Sequence, residues 1–207
     1  MTQFQEQIDR LVTLGYPALS DLSEPQFEEL LEPLRSRAER LTTQERPGQA
    51  PWVIVIRSDL IDPERTIPLL RLSGGTTPGV VDRSHRTGDL ATYQPLDMLD
   101  VPSASAYLLV DVHRGEEFCG VAPEQALPVI TARGRTPLTI EEGVALVTHA
   151  PQLLEKNRCF MLSGSRRGDR RVPALWISGR APKLGWCWDG NPHSWLGVAS
   201  AGARLAA

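Results

Sequence analysis

The chain has 207 residues, of which 41% are hydrophobic and 23% charged, and its formal net charge is −3. This composition is ordinary for a folded globular protein and argues against disorder outside the loops. No apolar run approaches the ~20 residues of a membrane span, and Glu6, Asp9 and Arg10 interrupt the first apolar residues, so we expect no secretory signal.

The cysteine content indicates a reducing compartment. Cys119, Cys159 and Cys187 form an odd set without the spacing of a disulfide framework, and no Cys-x-x-Cys pair occurs. The sequence therefore predicts free thiols and a cytoplasmic location. Three cysteines exclude a zinc site of four thiolates, whereas mixed Cys/His ligation stays open.

Residues 1–45 predict an N-terminal helical pair. The first helix begins after Thr2 and ends near Gly15, and the second begins after Ser23. The apolar residues of the second helix fall on one stripe between Phe27 and Leu41, interrupted by Pro33, which predicts a kink or a break. Such a stripe can dock a partner or cover the domain's own sheet.

A polar stretch, Thr42–Pro51, contains two prolines and a glycine and is the predicted linker. It separates the helical pair from an α+β domain over residues 51–207. Within this domain, Trp52–Arg57 is short and β-branched, which predicts a buried strand. Pro68–Leu72 is a second strand candidate, and Ala106–Arg114 is the clearest central strand.

A helix is predicted from about Ala122, and another after Thr139, which forms a capping box with Glu142. Pro151 predicts that this second helix ends after His149. These helices lie between the central strand and the final group of strands.

The last third of the chain returns to strands. Cys159–Gly164 and Val172–Gly179 predict a hairpin with a long loop, and Leu184–Gly190 pairs beside it. A short helix is predicted from about Asn191, before a tail of small residues. The order of elements predicts the α+β class, with a mixed, largely antiparallel sheet, packed helices and the N-terminal helical pair.

A candidate binding surface lies in the stretch Gly185–Gly197. In a strand the side chains alternate between two faces, so Trp186 and Trp188 share one face and Cys187 and Asp189 share the other. Two indoles on one face can stack a base, a sugar or another ring. Tryptophans in a strand more often belong to the core, and we expect a core position for this pair.

Two pairs of polar residues are candidates for metal binding or acid–base chemistry. Asp189 and His193 can approach each other across a turn, although we favour the alternative that Asp189 or Asn191 caps the following helix. Asp111 and His113 fall two residues apart on one face of a strand and can hold one metal ion. If the two strands were neighbours, all four side chains would converge.

The most basic run of the chain surrounds one aspartate with four arginines, Arg166, Arg167, Arg170 and Arg171. Guanidinium groups suit phosphate and carboxylate. Residues 151–207 carry nine basic and three acidic side chains; we expect this end to pack near the acidic parts of the chain and be neutralised by them, and the alternative is an anion-binding surface.

Other motifs give weaker indications. His85 lies between Asp82 and Asp89 in a segment without an apolar pattern, which predicts an exposed loop. Ser165 follows a glycine without an adjacent base motif. The sequence has no nucleophile elbow and no HExxH motif, so no known hydrolase motif supports an enzyme.

Two stretches, Gly134–His149 and Gly168–Arg204, resemble an uncharacterised family of actinobacterial proteins known only as a domain of unknown function. The similarity extends from about Trp52 to Arg204. The resemblance implies a cytoplasmic bacterial protein, and it implies no activity and no catalytic residue.

Three functions remain open. The first is a binding or accessory protein, in which Trp186, Trp188, His193 and the four arginines bind an anionic small molecule or an acidic partner surface. The second is a metal-dependent hydrolase that uses the two polar pairs named above. The third is an interaction module that docks a partner through its N-terminal helices. We predict the first; nucleic acid and membrane partners are not favoured, and the cofactor and oligomeric state stay open.

Overall fold

A computed structural model describes residues 2–207. The α-helices are α1 (Gln3–Thr13), α2 (Tyr16–Leu19), α3 (Glu24–Leu31), α4 (Arg35–Ala38), α5 (Pro63–Thr66), α6 (Pro123–Ala132) and α7 (Ile140–His149). The strands are β1 (Gln49–Ile56), β2 (Val80–Val81), β3 (Gln94–Pro95), β4 (Ala106–His113), β5 (Thr136–Pro137), β6 (Cys159–Met161), β7 (Ser165–Arg166), β8 (Arg171–Ser178), β9 (Ala181–Trp188), β10 (Leu196–Val198), β11 (Ser200–Ala201) and β12 (Ala203–Leu205). Helices and mixed, mostly antiparallel sheets confirm the predicted α+β class.

The N-terminal helices begin where their capping residues predict. Thr2 Oγ1 accepts the N–H of Gln5 at 3.3 Å, which satisfies one of the free amides at the start of α1. Ser23 and Gln26 form a capping box at α3. Gly15 takes a left-handed φ of 83° after α1, and the short α2 follows it directly.

Pro33 breaks the second predicted helix. A 3₁₀ turn over Glu32–Leu34 separates α3 from α4, because proline cannot donate the hydrogen bond that a continuous α-helix requires. The stripe that runs from Phe27 across this break packs in one apolar cluster with Trp52 of β1 and Leu108 of β4. The N-terminal helices thus cover one face of the sheet that contains β1 and β4.

Gln7 fastens α1 to the free edge of β1. Its side chain is 6% exposed; Nε2 donates to the carbonyl of Trp52 at 3.2 Å, and Oε1 accepts the N–H of Ile54 at 2.8 Å. An edge strand carries unpaired backbone groups, and here a buried amide side chain satisfies two of them.

The strands form two five-stranded sheets. The first has the order β1-β4-β11-β5, with β12 also paired to β4, and all its pairs are antiparallel. The second has the order β10-β6-β8-β9-β2; β6, β8 and β9 are antiparallel neighbours, which confirms the predicted hairpin, while β10 and β2 join in parallel. The short pair β3 and β7 lies beside them.

Two predicted elements were wrong. The helix expected from Asn191 is replaced by β10, β11 and β12, because the backbone of this segment pairs with the distant strands β6, β4 and β5. The strand expected over Pro68–Leu72 is instead the end of a 3₁₀ turn, Ile67–Leu69, followed by irregular chain. Pro68 occupies the start of that turn, where its missing N–H costs nothing.

A second, larger apolar cluster fills the space between the two sheets and α7, and it includes Val147 of α7, Phe160 of β6 and Leu184 of β9. No helix within residues 2–207 has both the length and the apolar character needed to cross a bilayer.

Candidate functional site

The two late tryptophans lie on one face of β9, as the alternation predicts. The ring centroids of Trp186 and Trp188 are 5.0 Å apart and their planes meet at 71°. Trp188 is 45% exposed and Trp186 is half-buried. The pair therefore forms part of the surface, and the expectation of a core position was wrong.

The indoles lie outside because the opposite face of β9, which carries Cys187, faces the core. Cys187 is 8% exposed, and its Sγ lies 3.2 Å from Sδ of Met161 inside the larger apolar cluster. Burial raises the pKa of the Cys187 thiol to about 12. Cys187 is thus a neutral core side chain that leaves the indoles on the outside.

The arginine run is electrically balanced. Every one of its four guanidiniums lies within 3.7 Å of a carboxylate: Arg166 with Asp189, Arg167 with Asp89 and Asp169, Arg170 with Glu124, and Arg171 with Asp169. Three of these carboxylates come from other segments of the chain. The acidic neighbours considered in the sequence analysis are therefore present, and the run is not a free positive patch.

Two of the four guanidiniums nevertheless keep unused donors. Arg167 Nε and Arg171 Nε approach the same oxygen of Asp169 only to 3.5 and 3.7 Å, beyond normal hydrogen-bond length. Arg167 Nη1 and Arg171 Nε are buried without a hydrogen-bond partner anywhere in residues 2–207. By contrast, Arg166 and Arg170 donate hydrogen bonds of 3.1 and 2.6 Å to their carboxylates.

Aromatic rings hold these two guanidiniums in place. The guanidinium carbon of Arg171 lies 4.5 Å from the ring centroid of Trp186, and that of Arg167 lies 5.5 Å from the ring of Tyr93. The two arginine side chains are only 29% and 20% exposed. We call the group formed by Arg167, Arg171, Trp186 and Trp188 the tryptophan–arginine surface.

His85 lies close to this surface in an irregular segment, as predicted, but it is buried, so the predicted exposure was wrong. It is 8% exposed, and its ring packs edge-on against Tyr93 at a centroid distance of 5.8 Å. The N–H of Asp82 donates to the carbonyl of Leu184, which docks the segment on β9. Burial lowers the pKa of His85, so the buried ring favours the neutral form.

Asp111 and His113 contact each other as predicted, and Asp111 also binds an arginine. His113 Nε2 lies 3.0 Å from Oδ1 of Asp111, as expected for side chains on one face. The other oxygen of Asp111 accepts a hydrogen bond of 2.5 Å from Arg135. Asp111 takes a φ of 52°, an uncommon backbone conformation for a residue other than glycine.

The second polar pair is separated from the first. Asp189 accepts from Arg166, and the ring of His193 packs against Trp195 at a centroid distance of 5.7 Å. The first pair stands on β4 of the first sheet, whereas Asp189 follows β9 of the second. Within residues 2–207 no three His, Cys, Asp or Glu side chains are grouped to hold a metal ion.

A cavity of about 210 Å³ lies at the start of α7, and nothing in the sequence predicted it. Its walls include Arg57 after β1, Tyr93 before β3, Glu141 of α7 and Ser165 of β7. The capping box does locate the start of α7. No local signal, however, places Arg57 or Tyr93 beside it, because both arrive through the tertiary fold.

Comparison with known proteins places the chain in a family without assigning an activity. No curated protein and no solved structure matches it. A family model described as a family of unknown function (DUF5701) matches residues 10–207. That match spans nearly the whole chain, and the protein therefore belongs to the DUF5701 family.

Proposed function

We propose that this protein binds a small anionic molecule that carries a ring, and that the tryptophan–arginine surface is its binding site. Guanidinium forks would hold the phosphate or carboxylate of the ligand. The exposed indole of Trp188 would stack on its ring.

The observation that carries this proposal is the unused donors of Arg167 and Arg171. Buried N–H groups in folded proteins nearly always find an acceptor. Here Asp89 stays 3.5 Å from Nη1 of Arg167, and Asp169 stays 3.7 Å from Nε of Arg171, both beyond normal hydrogen-bond length. An anion placed between the two guanidiniums would complete the missing hydrogen bonds, and stacking on Tyr93 and Trp186 orients both groups in advance.

A small molecule fits this site better than an acidic protein surface. The two arginine side chains are recessed, with 20% and 29% exposure, so a flat partner surface would reach few of their donors. The most exposed arginine of the run, Arg170, already donates to Glu124 at 2.6 Å. We therefore assign the unused donors of Arg167 and Arg171, rather than Arg170, to a small anion.

The other two functions have less support. The stripe from Phe27 packs on the protein's own sheet, so it offers no free face for a partner. The two polar pairs predicted for a metal-dependent hydrolase are engaged separately, with Arg135 and with Arg166. We also propose a cytoplasmic location, which is supported by the three free thiols.

Calorimetric titration with adenosine monophosphate and with inorganic phosphate tests the proposal. Loss of one charge-assisted hydrogen bond costs about 1.5–3 kcal/mol, so Arg171→Gln should weaken binding of the nucleotide at least about tenfold. Trp188→Ala should weaken binding of the nucleotide but not of phosphate, because phosphate has no ring to stack on the indole. Asp169→Asn should tighten both, since it removes the competing carboxylate.

Arg170→Gln is the matched control, because it removes the same charge from the same loop at a guanidinium that is already bonded to Glu124. This variant should bind both probes like the wild type. Equal losses of affinity in Arg170→Gln and Arg171→Gln would show that only the net charge of the loop matters, and would contradict the proposed site. Failure of the wild type to bind either anion at low salt would refute the function.

A further inference from the structure

The cavity at the start of α7 has the size of a small metabolite. It lies between the N-terminus of α7, the chain after β1 and the segment Leu90–Pro95, and its volume is about 210 Å³. Water takes about 30 Å³ per molecule in the liquid, so the cavity holds roughly seven waters. Sites for drug-sized ligands usually measure about 300–1,000 Å³, so a smaller ligand is indicated.

One side of the cavity offers hydrogen-bond donors. Ser165 is 2% exposed, and its Oγ accepts the N–H of Ile140 at 3.0 Å, which leaves its own proton to donate. Ile140 and Glu141 form the first turn of α7, where amide groups have no partner within the helix. A helix N-terminus with a free amide and a hydroxyl donor favours a negatively charged group.

Arg57 adds a positive charge to the same lining. Its Nη1 donates to the carbonyl of Pro102 at 2.8 Å, which fixes the guanidinium. Its Nε is buried and lacks a hydrogen-bond partner within residues 2–207, with Asp59 at 3.7 Å. The guanidinium is therefore held in place while one of its donors stays unused.

Tyr93 is a second sign of a missing ligand. It lines the cavity and is 6% exposed; the guanidinium of Arg167 lies beside it, but its hydroxyl forms no hydrogen bond of normal geometry within residues 2–207. A buried phenol normally finds a partner. A polar ligand in the cavity would supply one.

Two carboxylates complete the lining. Glu141 Oε1 accepts the N–H of Ser58 at 2.9 Å, and Asp62 Oδ1 accepts the N–H of Glu64 at 2.8 Å. Each carboxylate therefore has a second oxygen left for a cation. Burial raises the pKa of Glu141, although the hydrogen bond from Ser58 and the positive charge of Arg57 act in the opposite direction.

We propose that this cavity binds a free α-amino acid, with the ligand carboxylate against Arg57 and Ser165 and its ammonium group against Glu141 and Asp62. A plain anion would meet two carboxylates, and a plain cation would meet Arg57 and the positive end of α7. A zwitterion complements both, and the apolar walls from Leu90, Pro95 and Ile140 receive its side chain. The site goes beyond the proposed function; it adjoins the tryptophan–arginine surface at Tyr93, whose ring packs against Arg167, but it shares none of the four residues of that surface.

Calorimetric titration of the full chain with each of the common amino acids tests the inference. At least one should bind, and its decarboxylated amine and its N-acetylated form should bind at least tenfold more weakly. In ¹H–¹⁵N spectra the amides of Glu141 and Ser165 should shift, while the indole N–H signals of Trp186 and Trp188 stay in place. The indole signals thus separate this site from the tryptophan–arginine surface.

Glu141→Gln removes one negative charge but keeps an oxygen that can accept the N–H of Ser58. It should weaken binding of the amino acid at least tenfold. Glu124→Gln makes the same change at a surface carboxylate outside the cavity and should leave binding unaltered. Three results would overturn the inference: no amino acid binds at millimolar concentration, the shifts map outside the cavity, or the two variants lose affinity equally. The ligand-analogue comparison uses wild-type protein and stands even if Glu141→Gln folds poorly.

Discussion

Arg204 and Glu142 form a bidentate ion pair inside the protein, although 62 residues separate them in the chain. Nε and Nη2 of Arg204 donate to the two carboxylate oxygens at 2.5 and 2.9 Å. Glu142 is fully buried and the Arg204 side chain is 4% exposed. The carboxylate also accepts the hydroxyl of Tyr107 and the N–H of Thr139, so the pair ties β12 to the start of α7.

Removing the guanidinium should destabilise the protein strongly. In Arg204→Met, Glu142 would remain fully buried without its charge partner, which typically costs about 3–5 kcal/mol of unfolding free energy. Urea denaturation followed by circular dichroism measures the loss. Arg170→Met is the control, because its exposed pair with Glu124 should be worth less than about 1 kcal/mol.

The double variant Arg204→Met/Glu142→Gln tests whether the loss of stability comes from the unpaired charge of Glu142 or from poorer packing around the substituted side chain. It removes both charges, so it should be more stable than Arg204→Met alone by about 1 kcal/mol or more. A double variant that is less stable than the single one would show that the carboxylate contributes without its arginine, contrary to this account.

The start of α7 shows what the sequence could and could not predict. The capping box of Thr139 and Glu142 is a local pattern, and the structure confirms it. The ion pair to Arg204 has no local signature, because the fold brings β12 beside β4 and α7. The same limit explains the C-terminal helix prediction, since small residues pair as strands here only because distant β4, β5 and β6 receive them.

The candidate site, too, was predictable from the sequence only in its local features. Alternation predicted that Trp186 and Trp188 share one face, but it cannot tell which face of a strand meets the core. That choice depends on Met161, which packs against Cys187 from another strand. The carboxylates that balance the arginine run likewise arrive from distant segments.

Gly197 should tolerate no side chain. A Cβ at this position would overlap the carbonyl oxygen of Gly115, where β10 passes the chain that leaves β4. All the contacting atoms are backbone atoms of Arg114 and Gly115, which cannot move aside as a side chain can, so Gly197→Ala should cost about 3 kcal/mol or more. Gly168→Ala, in open space at a φ of 78°, should cost only about 1–2 kcal/mol. Thermal denaturation of both variants measures the contrast, and similar losses would contradict the close contact.

The three thiols should differ in reactivity. Burial raises the pKa of all three, but Cys159 and Cys187 are only 3% and 8% exposed, whereas Cys119 is partly exposed and so accessible to a reagent. Because the thiolate is the reactive form, Ellman's reagent should modify one thiol of the native protein and all three after unfolding in guanidinium chloride. Cys119→Ser should abolish the native reaction. A native protein that reacts at two or three thiols would show that the larger apolar cluster is open to solvent.

His149 should make the protein sensitive to acid. Its two ring nitrogens are buried without hydrogen-bond partners within residues 2–207, and burial, reinforced by the positive charge of Arg10, lowers its pKa to about 3. The unfolded chain protonates this histidine near pH 6.5, so unfolding takes up a proton between those pH values, and stability is lost as the pH falls below about 6.5. From this group alone the loss between pH 7 and pH 5 should reach about 2 kcal/mol. Urea denaturation at both pH values should show a smaller loss for His149→Gln than for the wild type, and equal losses would place the acid sensitivity elsewhere.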